Sequence, residues 1–150
     1  MEQKKILKAK KKSLYNKTLG FLVKKGKKTT AKNLLENVLM SISKKLKTQK
    51  IQVLLHLFVK ANAFVETKNV KIRNRTFVVP FSLSLKRRSF LTIKWLLKSA
   101  NENKEKISIS TKLIDEIFDL LTKSKSKTLN LKKNNNIQAF SNRSNFHFRW

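Results

Sequence analysis

The sequence predicts a mainly α-helical fold, a single domain of about six helices from which a two-stranded β-hairpin protrudes. Over most of the chain, apolar residues recur at helical spacings of three and four. One interval, at about residues 63–85, is rich in β-branched and aromatic residues and alternates with a period of two. A hydrophobic fraction of 40% in 150 residues supports one core. We therefore expect a basic N-terminal tail at 1–12 and one helical domain at 13–150.

The helical pattern starts near Leu14 and ends at Gly26, a residue type that commonly terminates helices. The hydroxyls of Thr29 and Thr30 are predicted to cap a second helix. A third helix is predicted from Ile51 to about Ala61, where apolar residues again follow helical spacing. These three helices precede the predicted hairpin.

The hairpin is predicted from strands at Phe64–Val70 and Phe77–Leu85, with Arg73-Asn74-Arg75 at its tip. Asparagine tolerates the left-handed backbone that tight hairpin turns require, so Asn74 is the expected left-handed residue. Pro80 lies in the second strand, which an isolated ribbon or an edge strand tolerates.

After the hairpin, Ser89 is predicted to cap a long helix, and a further helix is predicted at Ser110–Thr122. The polar stretch Lys123–Asn136 predicts a loop or a frayed helix start, and Ile137–Trp150 predicts a short closing helix. Three acids are expected to form a solvated face of the Ser110–Thr122 helix: Asp115, Glu116 and Asp119.

The formal net charge is +28, from 36 lysines and arginines against eight acids. A chain with so large an excess repels itself unless a polyanion neutralises it, and nucleic acid is the commonest such partner. The charge therefore predicts a nucleic-acid-binding protein.

Other function classes find little support in the sequence. There is no cysteine for a disulfide, a metal site or a nucleophile, and no apolar run long enough to cross a membrane. His56 and His147 are isolated in the sequence, and His56 is expected to be a core residue. No phosphate-binding loop, dinucleotide fingerprint or zinc spacing occurs. We therefore expect no catalysis, no cofactor, no metal and no membrane partner.

Four basic clusters are candidate phosphate contacts: one is the lysine-rich tail, and each of the other three couples cations to a turn, a ribbon or a helix N-terminus. The alternatives are a solvated interhelical turn for the second cluster and an ordinary surface hairpin for the third. The clusters are the tail (Lys4, Lys5, Lys8, Lys10, Lys11, Lys12), the glycine turn (Lys24, Lys25, Lys27, Lys28), the hairpin (Lys68, Lys71, Arg73, Arg75) and Lys86, Arg87 and Arg88.

The aromatic residues at the C-terminal end have two open interpretations. Phe146, Phe148 and Trp150 alternate with His147 and Arg149. This arrangement suits stacking on bases, and it suits equally well the docking of a last helix onto the core.

Four separated stretches resemble the family of the universal small-subunit ribosomal protein seven. They are KKGKKTTA at Lys24–Ala31, the hairpin at Asn62–Leu83, KRRSFLTIKWLLKSA at Lys86–Ala100 and NRSNFHFRW at Asn142–Trp150. The order and spacing match over about residues 15–150. The resemblance departs at the hairpin turn, which lacks the usual glycine pair, and at the asparagine-rich residues 130–136.

This resemblance implies a helical domain with a protruding hairpin that binds the 3′ major domain of small-subunit rRNA and supports assembly of the head. It implies neighbouring small-subunit proteins as partners, with mRNA and E-site tRNA nearby. The glycine-turn lysines, Lys71, Arg73, Arg75, Arg87 and Arg88 would then contact rRNA. The residues near mRNA and tRNA would be Arg73, Asn74, Arg75, Arg143, His147, Arg149 and Trp150.

The composition indicates an organelle as the source of the chain. Lysine outnumbers arginine 30 to 6, and residues with A/T-rich codons are favoured throughout. With the ending at Trp150, this pattern predicts a mitochondrial member of the family, with a plastid as the alternative. The remaining alternative for function is a basic architectural protein that uses its hairpin on duplex DNA.

Overall fold

The computed structural model describes residues 13–102, 107–123 and 126–148. Within these ranges the chain forms six α-helices, one antiparallel hairpin and a closing 3-10 helix. The elements are α1 (13–22), α2 (Lys28–Leu46), α3 (Lys50–Ala61), β1 (Val65–Ile72), β2 (Arg75–Ser82), α4 (Leu85–Asn101), α5 (Ile109–Thr122), α6 (Lys127–Ser141) and the 3-10 helix (Arg143–Phe148). The prediction of a mainly helical chain with a two-stranded hairpin is confirmed.

The main core lies between α2, α3, α4 and α5, where the apolar side of each helix meets the others. Val38, Ile42 and Leu57 are at most 2% exposed and form its centre. A second apolar cluster of Ala63 and Leu83 with Leu91 joins the hairpin base to α4. The hairpin thus projects from the packed helical body.

Two helices begin earlier than the sequence predicted. The N-cap of α2 is Lys27, which makes no side-chain cap bond, and Thr30 lies in the first turn, where its Oγ1 donates to the Lys27 carbonyl at 2.9 Å. Helix α4 begins at Leu85 after the extended Ser84, so Ser89 lies inside the helix instead of capping it. Lysine and arginine are good helix formers, which explains why the basic run before Ser89 is itself helical.

The stretch Lys123–Asn136, predicted as a loop or a frayed helix start, supplies most of the fifteen-residue helix α6, which continues to Ser141. The closing helix predicted at Ile137–Trp150 is therefore divided between the end of α6 and the 3-10 helix Arg143–Phe148. The start of α6 is held by the Ser126 side chain, which accepts from the Leu129 N–H at 3.2 Å. Its other cap is Glu116 of α5, which accepts from the Thr128 N–H at 2.8 Å and the Thr128 hydroxyl at 2.7 Å. Glu116 is therefore buried, whereas it was predicted on a solvated face with Asp115.

The hairpin register is continuous from Val65–Ser82 to Ile72–Arg75, so Arg73 and Asn74 form a two-residue loop. Arg73, with φ of 52°, takes the left-handed conformation that was predicted for Asn74. Antiparallel pairs alternate outward from the loop between hydrogen-bonded and non-hydrogen-bonded positions. This alternation gives Pro80, opposite Thr67, a non-hydrogen-bonded position, so its missing N–H costs no ladder bond.

His56 lies on the exposed side of α3, and the prediction that it is a core residue is wrong. Helical spacing puts it beside Val53 and Leu57, but its side chain is exposed whereas those two residues are buried. Across the described residues, none of the helices has the length and apolarity of a membrane span.

Candidate nucleic-acid interface

The turn between α1 and α2 presents lysines beside an open helix end. Lys25 and Gly26 have φ of 50° and 74°, two left-handed residues in succession that reverse the chain over a short distance. The first bond of α2 runs from the Ala31 N–H to the Lys27 carbonyl, so no acceptor among the described residues receives the N–H groups of Thr29 and Thr30. The first turn also contains no acidic residue. These N–H groups and the helix dipole favour an anion at this end.

Arg87, at the start of α4, is held by a carboxylate instead of standing free. Its Nε donates to Glu66 Oε2 at 2.9 Å and its Nη2 to Glu66 Oε1 at 2.6 Å, a bidentate pair between α4 and β1. The pair leaves the third guanidinium nitrogen for an external anion. Arg87 therefore fixes the base of the hairpin to α4 in addition to contributing charge.

The Arg87 guanidinium lowers the pKa of the Glu66 carboxyl, because its hydrogen bonds favour the ionised form and outweigh the opposing effect of burial. A lowered folded-state pKa contributes stability above the unfolded value, near 4.5, and that stability is lost as pH falls through the folded value. We expect Glu66→Gln to cost about 1–2 kcal/mol at pH 7 and to flatten the acid limb of the stability curve. Unfolding by urea at several pH values measures this effect. The exposed Glu102→Gln is the control, and an acid limb unchanged by Glu66→Gln would contradict the assignment.

The side chain of Arg88 also serves the hairpin base. Its Nε donates to the Leu83 carbonyl at 2.9 Å, and its guanidinium stacks over the Phe64 ring at 4.6 Å. Within the predicted cluster, Lys86 is the exposed member, whereas Arg87 and Arg88 are partly buried. In the basic run at the start of α4, Arg87 and Arg88 therefore help to hold the hairpin base, whereas the exposed Lys86 is available to a ligand.

Aromatic contacts join the glycine turn to the start of α4. Phe21, at the end of α1, meets Phe90 edge to face with ring centroids 5.1 Å apart, and Arg87 covers the same Phe90 ring at 4.7 Å. Since Arg87 also binds Glu66 of β1, side-chain contacts connect the end of α1, next to the turn, with the α4 start and the hairpin base, and the exposed basic residues of these parts make up one surface. We call this surface, with the hairpin beyond it, the basic belt.

Sequence reasoning missed Lys94 as a member of the basic belt. Lys94 is exposed on α4, and its charge acts on Glu66. The signal was present in the sequence, because a residue seven positions after Arg87 lies on the same side of a helix. The signal applies only if Arg87 lies within α4. The helix begins at Leu85, whereas the sequence predicted that it would begin after Ser89.

The outer part of the hairpin, residues 68–76, carries four of the predicted cations on exposed positions. Lys68 is held over the Phe81 ring at 5.3 Å, and Lys71 lies on the opposite side of the ribbon. Arg73 and Arg75 lie at the tip. In the described part of the chain, none of these cations lies within ion-pair distance of a carboxylate. Their charge is therefore directed to solvent or to a ligand.

The C-terminal segment forms hydrogen bonds with the outer edges of both hairpin strands. The Asn135 amide of α6 donates to the Val65 carbonyl of β1 at 2.7 Å, and the Asn145 amide donates to the Val78 carbonyl of β2 at 3.1 Å. Both carbonyls belong to non-hydrogen-bonded pairs, where backbone groups point outward from the ribbon. The asparagine-rich stretch thus satisfies an edge that would otherwise be open.

The two interpretations of the terminal aromatics now separate for Phe148. Its ring packs on Phe77 of β2 with centroids 4.8 Å apart, so it docks on the hairpin. Phe146 is 56% exposed. Arg143 stacks on the exposed Phe140 ring at 4.6 Å, and the exposed His147 hydrogen-bonds through Nδ1 to the Ser144 carbonyl at 2.8 Å. The predicted residues Lys10, Lys11, Lys12, Arg149 and Trp150 lie outside the described residues.

Some cations outside the predicted clusters donate hydrogen bonds within the fold. Lys60 Nζ donates to the Leu121 carbonyl at 3.0 Å and Lys132 Nζ to the Lys60 carbonyl at 2.9 Å, so each satisfies a helix C-terminus. Burial lowers the pKa of Lys132. Lys17 of α1 donates to the Lys86 carbonyl and to Ser89 Oγ, and burial followed by the nearby Lys86 charge lowers its pKa. These lysines are separate from the predicted phosphate contacts.

The family model described as ribosomal protein S7p/S5e matches residues 2–143 of the chain. The chain belongs to this family. It is similar to the small ribosomal subunit protein uS7 of Geotalea daltonii, at 28% identity over 89% of the chain and 85% of the relative. The uS7 proteins of Mesomycoplasma hyopneumoniae (28% identity, 91% and 86% covered) and Geobacter metallireducens (30%, 83% and 79%) are similar as well. The resemblance drawn from the four sequence stretches is thereby confirmed, and the chain is a ribosomal protein of the S7p/S5e family.

Within the described residues, the S7p/S5e chain has no group of three or more histidine, cysteine, aspartate or glutamate side chains placed to hold a metal ion. The three neighbouring acids of α5 each have a different environment. Asp115 is exposed, Glu116 is buried as the cap of α6, and Asp119 pairs with Lys123 at 3.2 Å. This cluster is accounted for by packing and solvation.

Proposed function

We propose that the chain is a structural component of the small ribosomal subunit that holds rRNA through its basic belt and performs no catalysis. The observation that carries this proposal is the set of exposed hairpin cations without a carboxylate partner in the described residues. Such charge in a folded chain of net +28 suits a polyanion. The names of the relatives support the small subunit as the place of assembly.

The open start of α2 supports phosphate binding at the glycine turn, because N–H groups and lysines converge there. The hairpin ribbon is narrow and basic on both sides, which suits contact with the backbone and the shape of folded RNA. Recognition would then depend mainly on phosphate positions and RNA shape.

The finer parts of the proposal rest on the family resemblance. They are binding to the 3′ major domain of the rRNA, support of head assembly, and a hairpin and C-terminal segment near the mRNA exit and the E-site tRNA. Neighbouring small-subunit proteins would be further partners. The lysine excess and the preference for residue types that A/T-rich codons encode support a mitochondrial ribosome, with a plastid ribosome as the alternative.

The rival function is DNA compaction by a basic hairpin, which the ribbon geometry alone permits. Competition between a 3′ major domain rRNA fragment and duplex DNA, at matched salt, separates the two functions. We expect the rRNA fragment to displace the DNA. A clear preference for the DNA would contradict the proposal.

The glycine turn has its own test in the salt dependence of rRNA binding. Replacing Lys27 and Lys28 with alanine should flatten the plot of log K against log salt by about one to two units, because each phosphate contact releases counterions. The control replaces Lys32 and Lys98, which face Glu36 and Glu102 at 4.0 Å. An equal slope for the Lys27 and Lys28 variant and the native chain would remove this turn from the interface.

A further inference from the structure

The outer side of α3 carries apolar side chains that the fold leaves exposed. Ile51, Leu55 and Val59 are four residues apart, so they form one stripe along the helix. Ile51 is 50% exposed and Val59 is 76% exposed. Leu85, at the start of α4, is 75% exposed and lines the same groove as Leu55 and Val59. Single exposed apolar residues are ordinary, but here the exposed Val59 and Leu85 line one groove together with the half-buried Leu55.

Val59 forms a ridge between two open grooves. One groove, of about 380 Å³, lies between α1, α3 and the start of α4, and Phe58 and Leu85 line it. The other, of about 510 Å³, lies beside the ends of α2 and α5, and Leu46 and Leu121 line it. A ridge flanked by two apolar grooves is the shape into which a second helix packs.

The charged residues that line these grooves all carry positive charge. Lys17, Lys86 and Arg88 border the first groove, and Lys60 borders the second. No aspartate or glutamate is among the described residues that line either groove. A complementary ligand must therefore offer apolar side chains to Val59 and negative charge to the cations that border the two grooves, which we call the rim.

We propose that this surface, which we call the α3 ridge, docks an acidic amphipathic helix of a neighbouring protein. The inference rests on the proposed ribosomal function, because assembly supplies the neighbour. RNA fits the α3 ridge poorly, since aliphatic side chains offer neither donors for phosphate nor flat rings for bases. A second copy of this chain and its own residues 1–12 are both strongly basic and would be repelled by the rim.

The test uses the purified full chain and a defined probe. The probe is a capped peptide of about 15 residues, a length that supports a short helix, with leucines on one side and glutamates elsewhere. The matched control peptide has the same composition in an order that forms no apolar stripe. We expect the amphipathic peptide to bind about tenfold or more tightly than its control in a fluorescence anisotropy titration at about 0.15 M salt. Equal affinity for the two peptides would overturn the proposal.

Variants locate the binding. Val59→Ser combined with Leu85→Ser should abolish the difference between the peptides, whereas Met40→Ser, which removes a 41% exposed side chain of α2, should preserve it. Both serine sites are solvent-exposed, so the fold should be retained. A double variant that still distinguishes the peptides would place the binding elsewhere and overturn the proposal.

A photo-crosslinker identifies the occupant directly. The chain has no cysteine, so Val59→Cys gives a single site for a benzophenone label. In a mixture with the peptide and the rRNA fragment, we expect crosslinks to the apolar side of the peptide. Crosslinks to rRNA, to residues 1–12 or to a second copy would overturn the proposal. If the native chain failed to bind the rRNA fragment, the ribosomal function would fail independently of the peptide result.

Discussion

Replacing Lys71, Arg73 and Arg75 with glutamine is expected to weaken binding to the rRNA fragment by about 100-fold at about 0.1 M salt, because three phosphate contacts are lost. The salt slope should fall by about two to three units. All three side chains are exposed, so the thermal midpoint should stay close to that of the native chain. Filter binding at several salt concentrations measures both the affinity and the slope.

The matched control removes the same amount of positive charge, but from three lysines that already lie beside a carboxylate. Lys32, Lys98 and Lys123 each lie within 4.0 Å of a carboxylate. Their replacement by glutamine should lower the affinity by less than about tenfold, through the long-range field alone. Equal losses for the two triple variants would mean that net charge, and not the hairpin, governs binding.

Replacing Glu116 with alanine is expected to cost about 3 kcal/mol of unfolding free energy, the largest stability effect that we predict. The change removes the acceptor of the Thr128 N–H and hydroxyl, both buried at the start of α6. Ser99, whose hydroxyl lies 2.8 Å from the Thr128 hydroxyl, would lose an ordered partner. Differential scanning calorimetry should show a midpoint lower by about 6–12 °C.

The neighbouring Asp115→Ala is the control, because its side chain is exposed on the same helix. It should change the unfolding free energy by less than about 0.5 kcal/mol. Glu116→Gln keeps one acceptor oxygen and should fall between the two variants. Equal stability of the Glu116 and Asp115 variants would contradict the capping role.

Most of the fold could be predicted from the sequence, because helical spacing and strand alternation are local signals. The boundaries of α3, the hairpin and α5 follow from them to within about three residues. The features that the sequence did not predict depend on contacts between residues that are distant in the chain. Glu116 has the sequence context of a solvated acid, and its burial is decided by Thr128, twelve residues away. Residues 127–136 of α6, predicted as a loop or a frayed helix start, are helical for the same reason, since their polar sequence is held by the Glu116 cap and by contacts with the hairpin.

The candidate interface was predictable in its cations but not in their partners. Charge counts identify Arg87 as basic, but the sequence does not reveal that Glu66 holds it, since β1 and α4 meet only in the folded chain. The tip was located correctly, while the left-handed residue is Arg73 instead of Asn74, because either loop residue can take a positive φ. Helical periodicity alone could not place His56. It lies at the border of the apolar side of α3, where a small rotation of the helix decides whether a side chain is buried or exposed.

We propose that the basic belt holds small-subunit rRNA. Sedimentation of the endogenous protein through a low-magnesium gradient, which separates the ribosomal subunits, tests it most directly. The protein should travel with the small subunit and be released by high salt as the phosphate contacts are screened. A protein that stays at the top of the gradient at low salt, or that sediments with DNA, would contradict the claim.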